Sequence, residues 1–242
     1  MRYAGITDTG LVRKNNQDAY INLTNTNGDL LVLVCDGVGG NKAGEVASAE
    51  VIAHFAEHFP PTAAFQNDQE VRTWLQYHLQ LANKHIYDMG NANQEYEGMG
   101  TTVTGLLFCS QGVYSLNVGD SRCYGIRDGK LIQLTQDDSL VAEMVRLGEI
   151  TYEESLTHPK RHYVTRAIGI WENVESRVVP AEEMDQYLVC SDGLYGYVSD
   201  EEMLQVILSE QTLSEKVIAL KDAALQKGGY DNITLVLLDR HG

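Results

Sequence analysis

The sequence is short of positive charge: 18 Lys and Arg stand against 34 Asp and Glu in 242 residues, a formal net charge of -16. A field of that sign repels phosphate backbones and anionic lipid, so neither nucleic acid nor a membrane surface is an expected partner. The same acidic excess suits either a divalent-cation site or a solvated acidic surface. Cysteine is scarce too. Cys35, Cys109, Cys123 and Cys190 include no close pair of the metal-binding type and lie in or beside apolar runs. Buried reduced thiols in a cytoplasmic protein are the favoured reading, with a disulfide as the alternative. The opening MRYAGITDTG lacks the basic and apolar regions of a signal peptide, so export is not expected. The longest uncharged run, 98–119, is interrupted by Thr, Ser, Gln, Asn and Gly, which excludes a helical membrane span. Repeats, low-complexity tracts and linkers are absent as well, and residues 1–242 read as one domain.

What is present is apolar patterning, with 43% hydrophobic residues, ample for a core. Short β-like runs occur at 3–7, 30–35, 101–108, 113–118, 122–126, 131–134, 187–190 and 233–238. Turn signals between them, such as SQG at 110–112 and RDGK at 127–130, predict antiparallel hairpins. Between the second and third runs lie two helical patterns. Val46, Ala49, Ile52, Ala56 and Phe59 line the expected face of the first; Val71, Leu75, Leu79, Ala82 and Ile86 line that of the second. A later pair opens with capping-box spacings, Ser199 to Glu202 and Thr212 to Glu215, and stops at Gly228 and Gly229. Helix pairs around blocks of strands predict an α+β class, with sheets packed together and helices outside.

Five acidic residues share one context: Asp18 in RKNNQD, Asp36 in CDGVGG, Asp120 in VGDSR, Asp192 in CSDGL and Asp231 in GGYDN. Each sits near the edge of an apolar strand, beside Gly, Asn or Ser. Any single Asp-Gly pair is explained as an ordinary turn. Five of them converging at one end of a sandwich would repel one another strongly without cations. An all-oxygen ligand set favours Mg²⁺ or Mn²⁺ over Zn²⁺, and a glycine after Asp36 would let the backbone carbonyl approach an ion.

The ordered set RKNNQD (13–18), DGVGG (36–40), GMGTT (98–102), VGDSR (118–122), SDGL (191–194) and DNIT (231–234) resembles the bacterial branch of the protein phosphatase 2C family, the metal-dependent serine/threonine phosphatases. The resemblance spans almost the whole chain. It implies a four-layer α-β-β-α sandwich, two central antiparallel sheets flanked by helix pairs, with two to three Mn²⁺ or Mg²⁺ ions at one end. By position, Asp36 would bridge two ions, with Asp192 and Asp231 completing one and the Gly37 carbonyl and Asp18, directly or through water, the other. Asp120 with Asp192 would hold a third, and Arg13 would grip the substrate phosphate. The implied reaction is hydrolysis of phosphoserine and phosphothreonine by in-line attack of a metal-bridging water or hydroxide. Phosphoproteins are the implied substrates, and a cognate serine/threonine kinase and its substrates the implied partners.

The sequence departs from the family in places. Val38 follows Asp-Gly where many eukaryotic members carry a histidine proposed as general acid. Asn41 replaces a histidine common in bacterial members, and TQDDS (135–139) puts Asp138 at a position that is usually histidine. These changes bear on rate and pH dependence rather than on the metal centre. Residues 140–167 fall where bacterial members carry a mobile flap, and His158, Lys160, Arg161 and His162 give it local positive charge. His158 and His162 are therefore expected substrate-binding residues, an inert solvated loop being the alternative. Two rivals stand beside the phosphatase reading: a catalytically weak phosphoprotein-binding regulator of the same fold, and a two-metal nuclease, which the charge of -16 disfavours.

Overall fold

A computed structural model describes residues 1–38 and 43–240 of the chain. Gly39, Gly40 and Asn41, all singled out above, lie outside the described residues. In chain order the strands and helices are β1 (Arg2–Asp8), β2 (Asp18–Thr24), β3 (Leu30–Val38), α1 (Gly44–His58), α2 (Asp68–Ala92), β4 (Gly100–Thr101), β5 (Val103–Cys109), β6 (Gly112–Val118), β7 (Arg122–Arg127), β8 (Lys130–Gln133), α3 (Leu140–Arg146), α4 (Tyr152–Thr157), β9 (Arg177–Ala181), β10 (Gln186–Cys190), α5 (Asp192–Tyr195), α6 (Asp200–Ile207), α7 (Leu213–Gln226) and β11 (Ile233–Asp239). One sheet runs β1-β11-β10-β7-β8. The other runs β2-β3-β5-β6-β9, with the short β4 also paired to β3. Every pairing is antiparallel.

The period-2 alternation of the strands builds the layers. On β3, Leu31, Leu33 and Cys35 face the α1–α2 layer, while Leu30, Val32 and Val34 enter the core between the sheets. On β11, Ile233, Leu235 and Leu237 pack under α6 and α7, while Val236 and Leu238 meet that same central core. A strand buried on both faces must be apolar at consecutive positions, which explains why these central strands read as unbroken hydrophobic runs. The result is the expected four-layer α-β-β-α sandwich. Both capping boxes form as read, at Ser199 with Glu202 and at Thr212 with Glu215. All four cysteines are free thiols. No helix among the described residues is long and apolar enough to cross a membrane.

Three local expectations need correction. β2 and β9 were not among the expected strands, because both lie at sheet edges; β2 is mixed polar and apolar, and β9 carries Pro180, a residue tolerated at an edge. The run at 101–108 is divided at Thr102, whose amide donates to the Asp36 carbonyl at 2.8 Å, so that β4 and β5 are separate. The buried stripe of α1 is Gly44, Ala47, Ser48, Val51 and Phe55, continued by Phe59 as expected; Ala49 is exposed, and Val46, Ile52 and Ala56 sit at the border. The phase is set by a polar contact that an apolar count misses, the Ser48 hydroxyl donating to the Gln17 carbonyl at 2.7 Å.

Candidate active site

Strand pairing brings the acidic residues to one end of the sandwich. Asp36, near the end of β3, lies opposite Asp18 at the start of β2 in the antiparallel register. Asp192 opens α5 directly after β10, and Asp231 stands just ahead of β11, the neighbouring strand. Asp120 occupies the turn between β6 and β7, which belong to different sheets. A cleft of about 820 Å³ is lined by Arg13, Asp36, Gly37, Asp120, Asp192 and Asp231, among others. Asp18 lies beneath it, 8% exposed, its Oδ2 accepting a hydrogen bond from the Ser191 hydroxyl at 2.8 Å.

Neutral polar groups hold these carriers in place. Thr102 Oγ1 accepts the Asp36 amide at 3.0 Å and pairs with Ser121 Oγ at 2.8 Å, while the Thr101 hydroxyl donates to the Asp36 carbonyl at 3.0 Å. Asn232 joins three segments: its Oδ1 accepts the Gln17 amide at 2.8 Å, and its Nδ2 donates to the carbonyls of Thr9 and Asn15. The Tyr195 hydroxyl donates to the Asp120 carbonyl at 2.8 Å, and the Arg122 guanidinium lies 3.8 Å above the Tyr195 ring. Two glycines are steric necessities. A Cβ on Gly37 would meet the Gly44 backbone at 2.6 Å, and one on Gly193 would meet the Asn232 carbonyl oxygen at 1.9 Å. Gly37 is thus explained first by the start of α1 crossing it. Asn232, Thr102, Ser121 and Ser191 were not named individually by sequence reasoning; their signal was a polar residue inside a motif next to an apolar strand.

The electrostatics are those of a site built for positive charge. Burial pushes the Asp36 and Asp120 carboxyls well above the usual carboxylate range, and neighbouring aspartates push them further. Burial likewise raises Asp18 to about 7; hydrogen bonds from Thr234 and Ser191 restrain the rise, and the charges of Asp192 and Asp231 add to it. Asp231 is raised by burial and by Asp192, against the opposing hydrogen bond from Arg13. Asp18 Oδ1 is buried with no hydrogen-bond partner among the described residues. A lone acceptor in a cluster of carboxylates fits a hard divalent cation, which would neutralise the repulsion and satisfy the oxygen at once. Arg13 Nη2 donates to Asp231 Oδ2 at 2.8 Å, with half of its side chain in solvent at the mouth of the cleft.

The family model described as protein phosphatase 2C matches residues 12–224. The chain belongs to the protein phosphatase 2C family. It is 39% identical over 236 residues to the serine/threonine phosphatase Stp of Listeria monocytogenes serotype 4b, covering 97% of this chain and 94% of the relative. It is 38% identical over 244 residues to the serine/threonine protein phosphatase PstP of Mycobacterium tuberculosis, covering 99% of this chain and 45% of PstP. Among solved structures, Stp1 of Staphylococcus aureus superposes with a TM-score of 0.93 at 35% identity, covering 99% of this chain and 95% of Stp1. Phosphatases of this family are metal-dependent, in keeping with the carboxylate cluster.

Against that family background the departures acquire physical explanations. Asp138 is buried away from the cleft lining and acts as a hub: Oδ2 accepts the Gly119 amide at 3.1 Å, and Oδ1 takes Arg166 at 2.9 Å and Arg177 at 2.5 Å. It therefore anchors the residue preceding Asp120. Val38 lines the cleft as an apolar residue with no proton to give. In the segment 140–167, which holds α3 and α4, His162 lines the cleft with Nδ1 3.6 Å from Asp192 Oδ2. His158 does not line it; it ends α4, with Nδ1 accepting the Lys160 amide at 3.1 Å.

Proposed function

We propose that this protein hydrolyses phosphoserine and phosphothreonine esters, in keeping with relatives named serine/threonine phosphatases, and that its substrates are cytoplasmic phosphoproteins made by a serine/threonine kinase. The observation that carries the reading is a carboxylate cluster, held at raised pKa by burial and further by its own repulsion, opening on a cleft with a guanidinium at its mouth. Asp36 would be shared by two Mn²⁺ or Mg²⁺ ions, Asp192 and Asp231 serving one, and Asp18 and the Gly37 carbonyl the other. Asp120 and Asp192 would serve a third. Such ions supply Lewis-acid charge and acidify water near phosphorus.

The chain's own groups bind and orient the substrate. The Arg13 guanidinium, steadied on one side by Asp231, keeps further N–H donors for two phosphate oxygens, a geometry that lysine does not reproduce. His162 lies where it can contact the phosphorylated segment, and Lys160 and Arg161 beside it suit acidic flanking residues. We take 1–242 as one catalytic unit, with 140–167 as its flap. The regulator reading drew on Asn41 and Asp138; Asn41 lies outside the described residues, and the burial of the Asp138 carboxylate under Arg166 and Arg177 gives that residue a structural task. Turnover of a phosphothreonine peptide and of single-stranded nucleic acid, each with and without Mn²⁺, tests the function. Mn²⁺-dependent phosphate release from the peptide alone is expected; nucleic-acid cleavage, or no turnover, would overturn it.

A further inference from the structure

Far from the carboxylates, the outer layer carries a second concentration of metal-ligating side chains. α1 and α2 run antiparallel, as their cross-pairs show: Glu50 faces His85 at 3.0 Å, and one turn along α1 His54 Nε2 meets His78 Nδ1 at 3.0 Å. His58 follows one turn later, its ring stacked on that of His54 at 4.4 Å between centroids. One ligand atom from each of His54, His58 and His78 lies within 4.8 Å of the other two. Among the described residues, no three carboxylates of the active site bring oxygens that close together.

The tautomers suit a ligand role. His58 Nδ1 stands 2.8 Å from the His54 carbonyl, an acceptor, so Nδ1 carries the proton and Nε2 presents its lone pair. His54 and His78 share one hydrogen; a cation taking its place leaves both rings neutral once the donor ring carries its proton on the other nitrogen. Burial, reinforced by the neighbouring imidazoles, holds both rings near 4 instead of 6.5, so their lone pairs are available at neutral pH. Trp74 packs on His78 at 4.2 Å, and His78 is 8% exposed, which dries the inner side of the cluster.

We propose that His54, His58 and His78 form a separate site for a borderline transition-metal ion, Zn²⁺ by ligand type, that clamps α1 to α2. Imidazole suits Zn²⁺, Cu²⁺ or Ni²⁺ and disfavours the Mg²⁺ and Ca²⁺ that carboxylates take. Tetrahedral Zn–N bonds of about 2.0–2.1 Å place ligand nitrogens roughly 3.3 Å apart. The His54–His78 pair already stands near that spacing, and small ring rotations bring His58 in, leaving the fourth position to water. His54 is ten residues along α1 from Gly44, the residue that packs on Gly37, or roughly 15 Å along the helix axis. The two sites share no residue, and none of the three histidines lines the cleft.

The test is equilibrium dialysis of the full chain against ZnCl₂ in excess Mg²⁺, with thermal unfolding read in parallel. The wild type and Asp36→Asn should each retain one Zn²⁺ per chain and show a Zn²⁺-dependent rise in Tm. His58→Gln should weaken binding by more than the roughly 10–100-fold that loss of an outer-shell partner costs, and should abolish the rise. His78→Gln should do the same, and its own Tm without zinc separates lost binding from lost packing. The proposal is overturned if the wild type holds no Zn²⁺ and shows no Tm rise, if both histidine variants bind like the wild type, or if Asp36→Asn removes the binding.

Discussion

The carboxylates at the end of the sandwich and the imidazoles on the α1–α2 seam are both clusters of like ionisable groups taken partly out of water, and they meet the resulting penalty in opposite ways. Imidazole escapes charge by losing its proton, so His54 and His78 sit in contact at 3.0 Å as neutral rings. A carboxyl escapes only by gaining one, and the raised pKa values of Asp18, Asp36 and Asp120 record the strain of a site tuned against negative charge. One cluster is stable without a ligand. The other is costly until a cation arrives.

The largest effect separating them should come from Asp36→Asn, which removes the carboxylate assigned to both ions. Phosphatase activity should fall by more than roughly 10³-fold, at or beyond the loss of a transition-state hydrogen-bond donor. Near-normal kcat on an aryl phosphate would break the assignment of Asp36. A smaller effect belongs to Arg13→Ala, which removes charge-assisted hydrogen bonds to phosphate in ground and transition states alike. KM should rise about 10–100-fold with a lesser change in kcat, and an unchanged KM would show that Arg13 only steadies Asp231.

The smallest effect is the difference in pH response. His78 titrates near 4 when folded and 6.5 when unfolded, so the unfolded chain binds the extra proton between those values. Its contribution is complete above pH 6.5 and is lost as pH falls toward 4. The Asp18 carboxyl has the opposite sign: its raised pKa favours the folded state below about 3.8 and loses that contribution as pH rises through 7, unless a cation takes the place of the proton. Urea unfolding across this range, in wild type and in His78→Phe, should show less acid destabilisation in the variant. Parallel curves would mean that His78 is not held neutral.

The carboxylate side of this contrast was legible in the sequence, though unevenly. The central strands and the five aspartates could be read because burial on both faces forces continuous apolar runs, and because a carboxylate at the end of such a run is conspicuous. The edges were not: β2 and β9 bury too little to leave a pattern, and Ser48 reset the phase of α1 through a hydrogen bond to Gln17. The scaffolding role of Asn232 depends on segments more than 200 residues apart in sequence. The His54–His58 spacing is visible in AHFAEH, but His78 joins it only when two helices pack.

The most direct test of the central claim is calorimetric Mn²⁺ titration near pH 7 in two buffers of different ionisation enthalpy. If the carboxylates hold protons that cations replace, binding must release protons, and the release must diminish as pH rises above the folded pKa values. Proton release near pH 7 that fades toward higher pH and is reduced in Asp36→Asn is the predicted result. Tight Mn²⁺ binding with no proton release at any pH, or release unchanged in Asp36→Asn, would contradict it.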